Sequence, residues 1–116
     1  MQREHRAFLE DIINSIGKIE RYCHGLSKAS FASNELVQDA AIRNLEIIGE
    51  AVKKVPDEIK SKKTMIAWKK IAGLRDVLIH DYFGININII WDVIENKLPE
   101  LKAAVLEMLP DVERDN

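Results

Sequence analysis

Apolar residues recur every three or four positions along the first part of the chain. This spacing marks one buried stripe of an α-helix, and it predicts a first helix over residues 3–25. The stripe consists of Phe8, Ile12, Ile16, Ile19, Cys23 and Leu26. Gly25 and the serine-rich stretch 26–34 interrupt the pattern, and Ser33 or Asn34 can cap the helix that follows.

A second helix is predicted over residues 34–54, and its apolar positions cover a wider part of its surface. These positions are Leu36, Val37, Ala40, Ala41, Leu45, Ile48, Ala51, Val52 and Val55. A face this broad can contact two neighbours, which suits the middle of a bundle or a subunit interface. Pro56 has no amide hydrogen and ends this helix, and residues 57–63 form a polar connection with room for one helical turn.

The third helix is predicted over residues 65–80, with apolar positions at Ile66, Trp68, Ile71, Leu74, Val77 and Leu78. Residues 85–89 then alternate isoleucine with asparagine, which is the pattern of a strand. No second strand-like run exists to pair with it, so we expect Asn86 or Asn88 to cap a fourth helix instead. This helix carries Ile90, Val93, Ile94 and Leu98.

Pro99 either kinks the fourth helix or lies in the first turn of a fifth, over residues 99–109. The expected inward positions of the fifth helix are Leu101, Val105, Leu106 and Leu109. No repeat or interdomain linker is visible, so residues 1–116 are predicted to form one all-α domain. It consists of a bundle of four to five helices over 1–110 and a frayed acidic tail over 111–116.

The composition limits the class of protein. The chain has 116 residues, of which 47% are apolar and 31% charged, enough for one buried core. No apolar run approaches the length of about 18 residues that a membrane span needs. Cys23 is the single cysteine and has no partner for an internal disulfide, and the charged N-terminus is unlike a signal peptide. A cytoplasmic protein with no membrane partner is expected.

Charge is unevenly distributed along the chain. The total of 17 Lys+Arg against 19 Asp+Glu gives a net charge of -2, which argues against a general polybasic coat. Residues 59–75, however, contain six basic side chains and no acidic one, whereas residues 95–116 contain six acidic and three basic ones. The basic segment is therefore expected to attract a polyanion in a salt-dependent way.

The sequence gives little support for a metal site or for a glycine-rich phosphate-binding loop. No glutamate is followed three residues later by a histidine, and the adjacent Cys23 and His24 point to different sides of a helix. We therefore expect no metal site. Glu46 and Glu50 share one helix face, where they can bind a cation, act in acid/base chemistry, or form a solvated or helix-packing pair.

Side chains suited to catalysis are concentrated in residues 72–82, which contain Arg75, His80 and Tyr82. Five residues correspond to about 140° around an α-helix, so Arg75 and His80 cannot share one stripe. Either the helix unwinds near His80, or the working groups come from two subunits. A purely structural interpretation also stands, in which Arg75 and His80 stabilise a helix C-terminus and Tyr82 is a core aromatic.

Arg75-x-x-x-x-His80-x-Tyr82 resembles the Arg-x(4 to 6)-His motif of HEPN domains, in the form typical of HepT-like ribonuclease toxins. Further elements follow in the same order as in that family, so the resemblance covers almost the whole chain. They are Ile48-Gly49-Glu50-Ala51, Trp68 with Ile71-Ala72-Gly73-Leu74-Arg75, His80-Asp81-Tyr82, Trp91 and Leu98-Pro99-x-Leu101.

The resemblance implies a HEPN bundle that forms a homodimer, or an assembly of dimers, in which the two motifs face each other. It also implies a metal-independent endoribonuclease without a cofactor, acting on tRNA or mRNA. Arg75 and His80 would be catalytic, with Asp76 in a supporting role. The candidate RNA-binding residues are Lys62, Lys63, Lys69 and Lys70.

The implied partner is an MntA-like nucleotidyltransferase antitoxin that transfers AMP to Tyr82. Two other interpretations remain open at this point. One is a non-catalytic HEPN partner of a nucleotidyltransferase, which binds a nucleotide or substrate. The other is a plain interaction bundle, in which the motif serves only capping and packing.

Overall fold

The computed structural model describes residues 2–80 and 86–114, and helices account for most of them. The helices are α1 (Gln2–Cys23), α2 (Lys28–Ala32), α3 (Glu35–Lys54), α4 (Asp57–Lys60), α5 (Trp68–His80), α6 (Ile87–Asp92) and α7 (Leu98–Arg114). A 3₁₀ turn (Ser61–Lys63) follows α4, and a π-helical turn (Val93–Lys97) joins α6 to α7. No strand occurs in these two ranges, so the all-α prediction is confirmed. None of the described helices is long and apolar enough to cross a membrane.

Helix α3 lies at the centre of the bundle, where it packs against both α1 and α5, while α7 packs against α1. Its buried side chains include Ala41, Leu45, Ile48 and Val52, as the apolar pattern predicted. The expectation that this face contacts two neighbours is therefore confirmed. Leu36 departs from the pattern: it is 80% exposed, although the next residue, Val37, packs against the core.

Helix α1 buries Ile12, Ile16 and Ile19 completely, and it also buries Leu9, which the predicted stripe omitted. Burial, together with the nearby carboxylate of Glu95, raises the pKa of the Cys23 thiol. A thiol kept protonated in this way packs as a small apolar group. The helix ends at Cys23, two residues before the predicted end, and Gly25 follows with a φ of 76°, which suits glycine.

The serine-rich stretch 26–34 contains a short helix, α2, where the sequence predicted only an interruption. Ser27 and Ser30 form a capping box, in which the Ser30 amide donates to Ser27 Oγ at 3.1 Å and the Ser27 amide donates to Ser30 Oγ at 2.8 Å. Phe31 is fully buried, and its ring lies 5.0 Å from that of Trp91. Asn34 then caps α3, as one of the two predicted alternatives.

The connection between α3 and α5 is held by side-chain hydrogen bonds to backbone carbonyls. Lys60 Nζ donates to the Val52 carbonyl, 3.2 Å away, near the C-terminus of α3. The indole nitrogen of Trp68 donates to the carbonyls of Lys60 and Lys63 at 3.1 and 3.0 Å. Helix α5 begins at Trp68, later than predicted, because the chain turns at Ile66, whose carbonyl accepts a hydrogen bond from the Trp68 amide.

The π turn joins helices α6 and α7 without a break in the helical chain. Asn86 caps α6, as one of the two predicted alternatives, by accepting from the Asn88 amide at 2.8 Å. Pro99 cannot donate a backbone hydrogen bond, and the Leu98 amide just before it bonds five residues back, to the Val93 carbonyl. Pro99 therefore lies in the first turn of α7.

Helix α7 runs to Arg114, so residues 111–114 belong to it, where a frayed tail was expected. Leu106, predicted to face inward, is half-exposed. Ala104 and Met108 are buried instead, because the helix presents this other pair of positions to α1.

Candidate functional site

The site is organised by a close approach of α3 and α5 at Gly49. A Cβ atom at this position would lie 2.7 Å from the Cβ of Arg75 and 3.2 Å from the Ile71 carbonyl oxygen. No larger residue fits without moving one of the two helices. Glycine at position 49 thus allows the backbone of α5 to approach α3, and it brings the neighbouring Glu50 within reach of Arg75.

Two carboxylates hold the guanidinium of Arg75. Its Nε lies 2.9 Å from Oε2 of Glu50, across the interface between α5 and α3. Its Nη1 donates to Oδ1 of Asp76 at 3.0 Å. The Arg75 side chain is 33% exposed, so it remains accessible from solvent while its orientation is fixed by two charge-assisted contacts. Asp76, for which the resemblance implies a supporting role, thus contacts Arg75.

Glu46 and Glu50 form ion pairs with different partners in the structure. Glu50 joins Arg75 and also lies 3.6 Å from Lys54 Nζ, so it is a helix-packing partner. Glu46 lies 3.5 Å from Nη1 of Arg43 on the same helix. Among the described residues, no group of three or more His, Cys, Asp or Glu side chains is arranged to hold a metal ion. The four-residue spacing predicted that Glu46 and Glu50 share one helix face, but it did not predict the ion pair between Glu50 and Arg75.

A half-open cleft of about 260 Å³ lies between α1, α3 and α5, and Arg75 forms part of its wall. We refer to it as the Arg75 cleft. Its apolar lining consists of Phe8, Ile47, Ala51 and Ile79. Its charged lining consists of Asp11, Arg43, Glu46, Glu50, Lys54 and Arg75. Sequence reasoning found Arg75 but not this cleft, because its lining residues come from three helices.

Helix α5 continues without a break through His80. The helix therefore does not unwind between Arg75 and His80, and the alternative that it unwinds just after His80 lies outside the described residues. Positions 75 and 80 lie about 140° apart around the axis, on different faces of one helix. Tyr82 lies outside the described residues. The second alternative, in which two subunits supply the working groups, stays a prediction.

The basic segment divides between structural and exposed roles. Lys63 forms an ion pair with Glu107 of α7, so its charge is compensated. Lys62, Lys69 and Lys70 are exposed. Lys69 precedes position 80 by eleven residues, which places the two within about 20° of each other around α5. Lys69 therefore lies on the face of α5 that carries position 80, and not on the face that carries Arg75.

Comparison with known proteins decides the family. A family model described as "Ribonuclease HepT-like" matches residues 12–108 of the chain. The chain belongs to the HepT-like ribonuclease family. The match includes the contact between Gly49 and Arg75 as well as His80, and the predicted resemblance is thereby confirmed.

Individual relatives agree with the family match. The "Probable ribonuclease HepT" of Thermococcus cleftensis is 39% identical over 89% of this chain and 94% of its own length. A Methanocaldococcus jannaschii protein with a provisional RNase name is 40% identical over 99% of this chain and 95% of its own. A second protein of that organism, named as a gamma-glutamylcyclotransferase and provisional RNase, is 36% identical over 99% of this chain. The chain spans only 52% of that relative. No solved structure gives a significant match.

The HepT-like match also bears on the fold. It begins within α1 at Ile12 and ends within α7 at Met108, so it contains α3 and α5 completely and most of the buried core. The parts of the Arg75 cleft that come from α3 and α5 lie within the matched range, whereas Phe8 and Asp11 on α1 precede it.

Proposed function

We propose that this HepT-like chain is a metal-independent endoribonuclease toxin that cuts tRNA or mRNA with Arg75 and His80 as its catalytic residues. The observation that carries the proposal is the placement of Arg75, which Glu50 and Asp76 orient on the wall of a half-open cleft. Family membership supports the ribonuclease activity. Glu50 and Asp76 act as positioning residues in this proposal.

The two residue types match the chemistry of RNA cleavage by the neighbouring 2′-hydroxyl. A base must take the 2′ proton, a cation must stabilise the extra negative charge on phosphorus, and an acid must protonate the leaving 5′ oxygen. Arg75 stays cationic and can bind two phosphate oxygens as a fork. Histidine has an ordinary pKa of about 6.5, so His80 can serve as base or acid near neutral pH, an effect worth roughly 10² to 10⁴ in rate.

A homodimer resolves the separation of the two residues around α5. Since positions 75 and 80 lie on different faces of an unbroken helix, we place Arg75 of one protomer beside the partner's His80. The apolar side chain of Val77 is 51% exposed in the single chain, which supports a partner protomer covering this part of α5. Each dimer would then contain two such pairs of Arg75 and His80.

Purified protein is expected to cleave total RNA in excess EDTA and to leave 5′-hydroxyl and 2′,3′-cyclic phosphate ends. Arg75→Ala and His80→Ala are each expected to lower the cleavage rate by at least about 10²-fold, because each removes a group that acts on the transition state. Arg21→Ala, a change of an exposed arginine near the end of α1, serves as a matched control and should retain activity.

Loss of cleavage in EDTA would contradict metal independence. Equal cleavage by all variants would point to a contaminating nuclease. If the protein were inactive and its intact mass showed no added AMP, the non-catalytic partner of a nucleotidyltransferase would become the better interpretation.

The second part of the proposal concerns regulation by an MntA-like nucleotidyltransferase antitoxin that adds AMP to Tyr82. Each transferred AMP would add a negatively charged phosphate to the motif, which would compete with the RNA phosphate for binding. Tyr82→Phe is therefore expected to cleave RNA like the wild type but to stay active after incubation with the antitoxin and ATP. Intact mass and RNA cleavage measure the two effects.

Tyr22→Phe is the matched control, because Tyr22 is an exposed tyrosine on α1. It should still gain AMP and lose activity. Loss of cleavage in Tyr82→Phe without the antitoxin would instead assign Tyr82 a direct catalytic role.

A further inference from the structure

The Arg75 cleft has a balanced charge. Three of its lining side chains are acidic (Asp11, Glu46, Glu50) and three are basic (Arg43, Lys54, Arg75), so their formal charges cancel. A phosphate group inside the cleft would gain little net attraction from such a lining. A nucleobase is neutral, with apolar faces and polar edges. It therefore suits a small cleft with an apolar lining and polar groups of both signs.

Glu46 is the most buried member of the ion pairs in the cleft, with a side chain only 20% exposed. Its partner Arg43 is 71% exposed and lies 3.5 Å away, so this ion pair is solvent-screened and weak. An ionised carboxylate accepts hydrogen bonds and cannot donate them. Amino groups on adenine, cytosine and guanine can donate to it, as carboxylates accept from cytosine N4 in nucleic-acid recognition. Uracil has no amino group, and its one N–H lies between two carbonyl oxygens that repel a carboxylate.

Phe8 and Lys54 also line the cleft. Phe8 is partly buried against the core, and Lys54 Nζ lies 5.7 Å from the centre of its ring. Aromatic rings in single-strand binding sites stack on bases of any identity. The ammonium of Lys54 is half-exposed at the rim, where it can contact a phosphate of the bound strand.

We propose that the Arg75 cleft binds the nucleobase adjacent to the phosphate that Arg75 holds, and that Glu46 selects bases with an amino group over uracil. Phe8 supplies the stacking surface for this base. The inference rests on the proposed ribonuclease function, since it assigns the substrate specificity of the same site. Glu46 is then a specificity-determining residue that takes no part in the cleavage step.

Mapping of the cleavage sites in total RNA tests the proposal. The wild type should disfavour uridine at one position next to the cut, and Glu46→Gln should reduce this discrimination about tenfold, which corresponds to about 1.4 kcal/mol. Glutamine has both an oxygen acceptor and an NH₂ donor, so it can also pair with uracil. Phe8→Leu should lower kcat/KM about tenfold for all sites without changing the preference. Glu58→Gln, at an exposed acid on α4, is the matched control and should leave the cleavage pattern unchanged.

Binding of the four 3′-nucleoside monophosphates, measured by calorimetry, tests the cleft independently of cleavage. The uridine nucleotide should bind about tenfold more weakly than the other three, and Glu46→Gln should remove most of this difference. If this pattern holds while no RNA is cut, the ribonuclease proposal fails and the base-binding site stands. If RNA is cut but Glu46→Gln changes neither the cleavage map nor the nucleotide preference, the base-binding site is overturned. Failure of all four nucleotides to bind would also overturn it.

Discussion

A mixture of Arg75→Ala and His80→Ala proteins is expected to cleave RNA at about a quarter of the wild-type rate, although neither variant alone is active. The reason is that α5 carries positions 75 and 80 on different faces without a break, so in the proposed homodimer one active site would take the two residues from two protomers. After random subunit exchange half of the dimers are hybrids, and each hybrid contains one intact pair. The cleavage rate after denaturation and joint refolding measures this complementation.

The matched control is a mixture of Arg75→Ala with the double variant Arg75→Ala/His80→Ala. It also forms hybrid dimers, but no pairing of its chains restores an arginine, so it should remain at background. Native mass spectrometry would establish that hybrids are present in both mixtures. An inactive first mixture that contains hybrids would show that Arg75 and His80 act from the same chain, or that both copies of each residue are required.

Gly49→Ala should lower the free energy of unfolding by about 1–2 kcal/mol and reduce RNA cleavage by about 10²-fold. The new Cβ would lie 2.7 Å from that of Arg75, so α5 must move away from α3 and the contact between Glu50 and Arg75 must lengthen. The better helix propensity of alanine offsets about 0.5–1 kcal/mol of this cost. Urea unfolding followed by circular dichroism gives the stability, and the EDTA cleavage assay gives the activity.

Gly17→Ala separates the packing effect from the effect of helix propensity. Gly17 lies inside α1, where an added Cβ would meet only the end of the Arg21 side chain at 3.9 Å. This variant should be as stable as the wild type or more stable, and fully active. If Gly49→Ala behaved in the same way, the close approach of the two helices would not be what holds Arg75 in position.

Local patterns in the sequence were sufficient to predict the long helices, and they left two candidates each for the caps of α3 and α6. The buried stripe of α1 follows the periodicity of its apolar residues, and Asn34 and Asn86 cap α3 and α6 because a short polar side chain can accept from the first helical amides. The same patterns did not predict α2. Ser27 and Ser30 are typical of a loop, and the helix they cap is stabilised by Phe31 packing against the distant Trp91.

The sequence by itself determined the all-α class, the family and the identity of the motif residues, because these depend on residue spacing and on the order of motifs along the chain. Only the tertiary structure decided which apolar positions are covered, as the exposure of Leu36 and Val77 shows. It also decided that Gly49 and Glu50 fix the orientation of Arg75. The physical reason is that helical periodicity specifies one face of each helix, whereas contacts between faces depend on how closely two helices approach and which residues meet there.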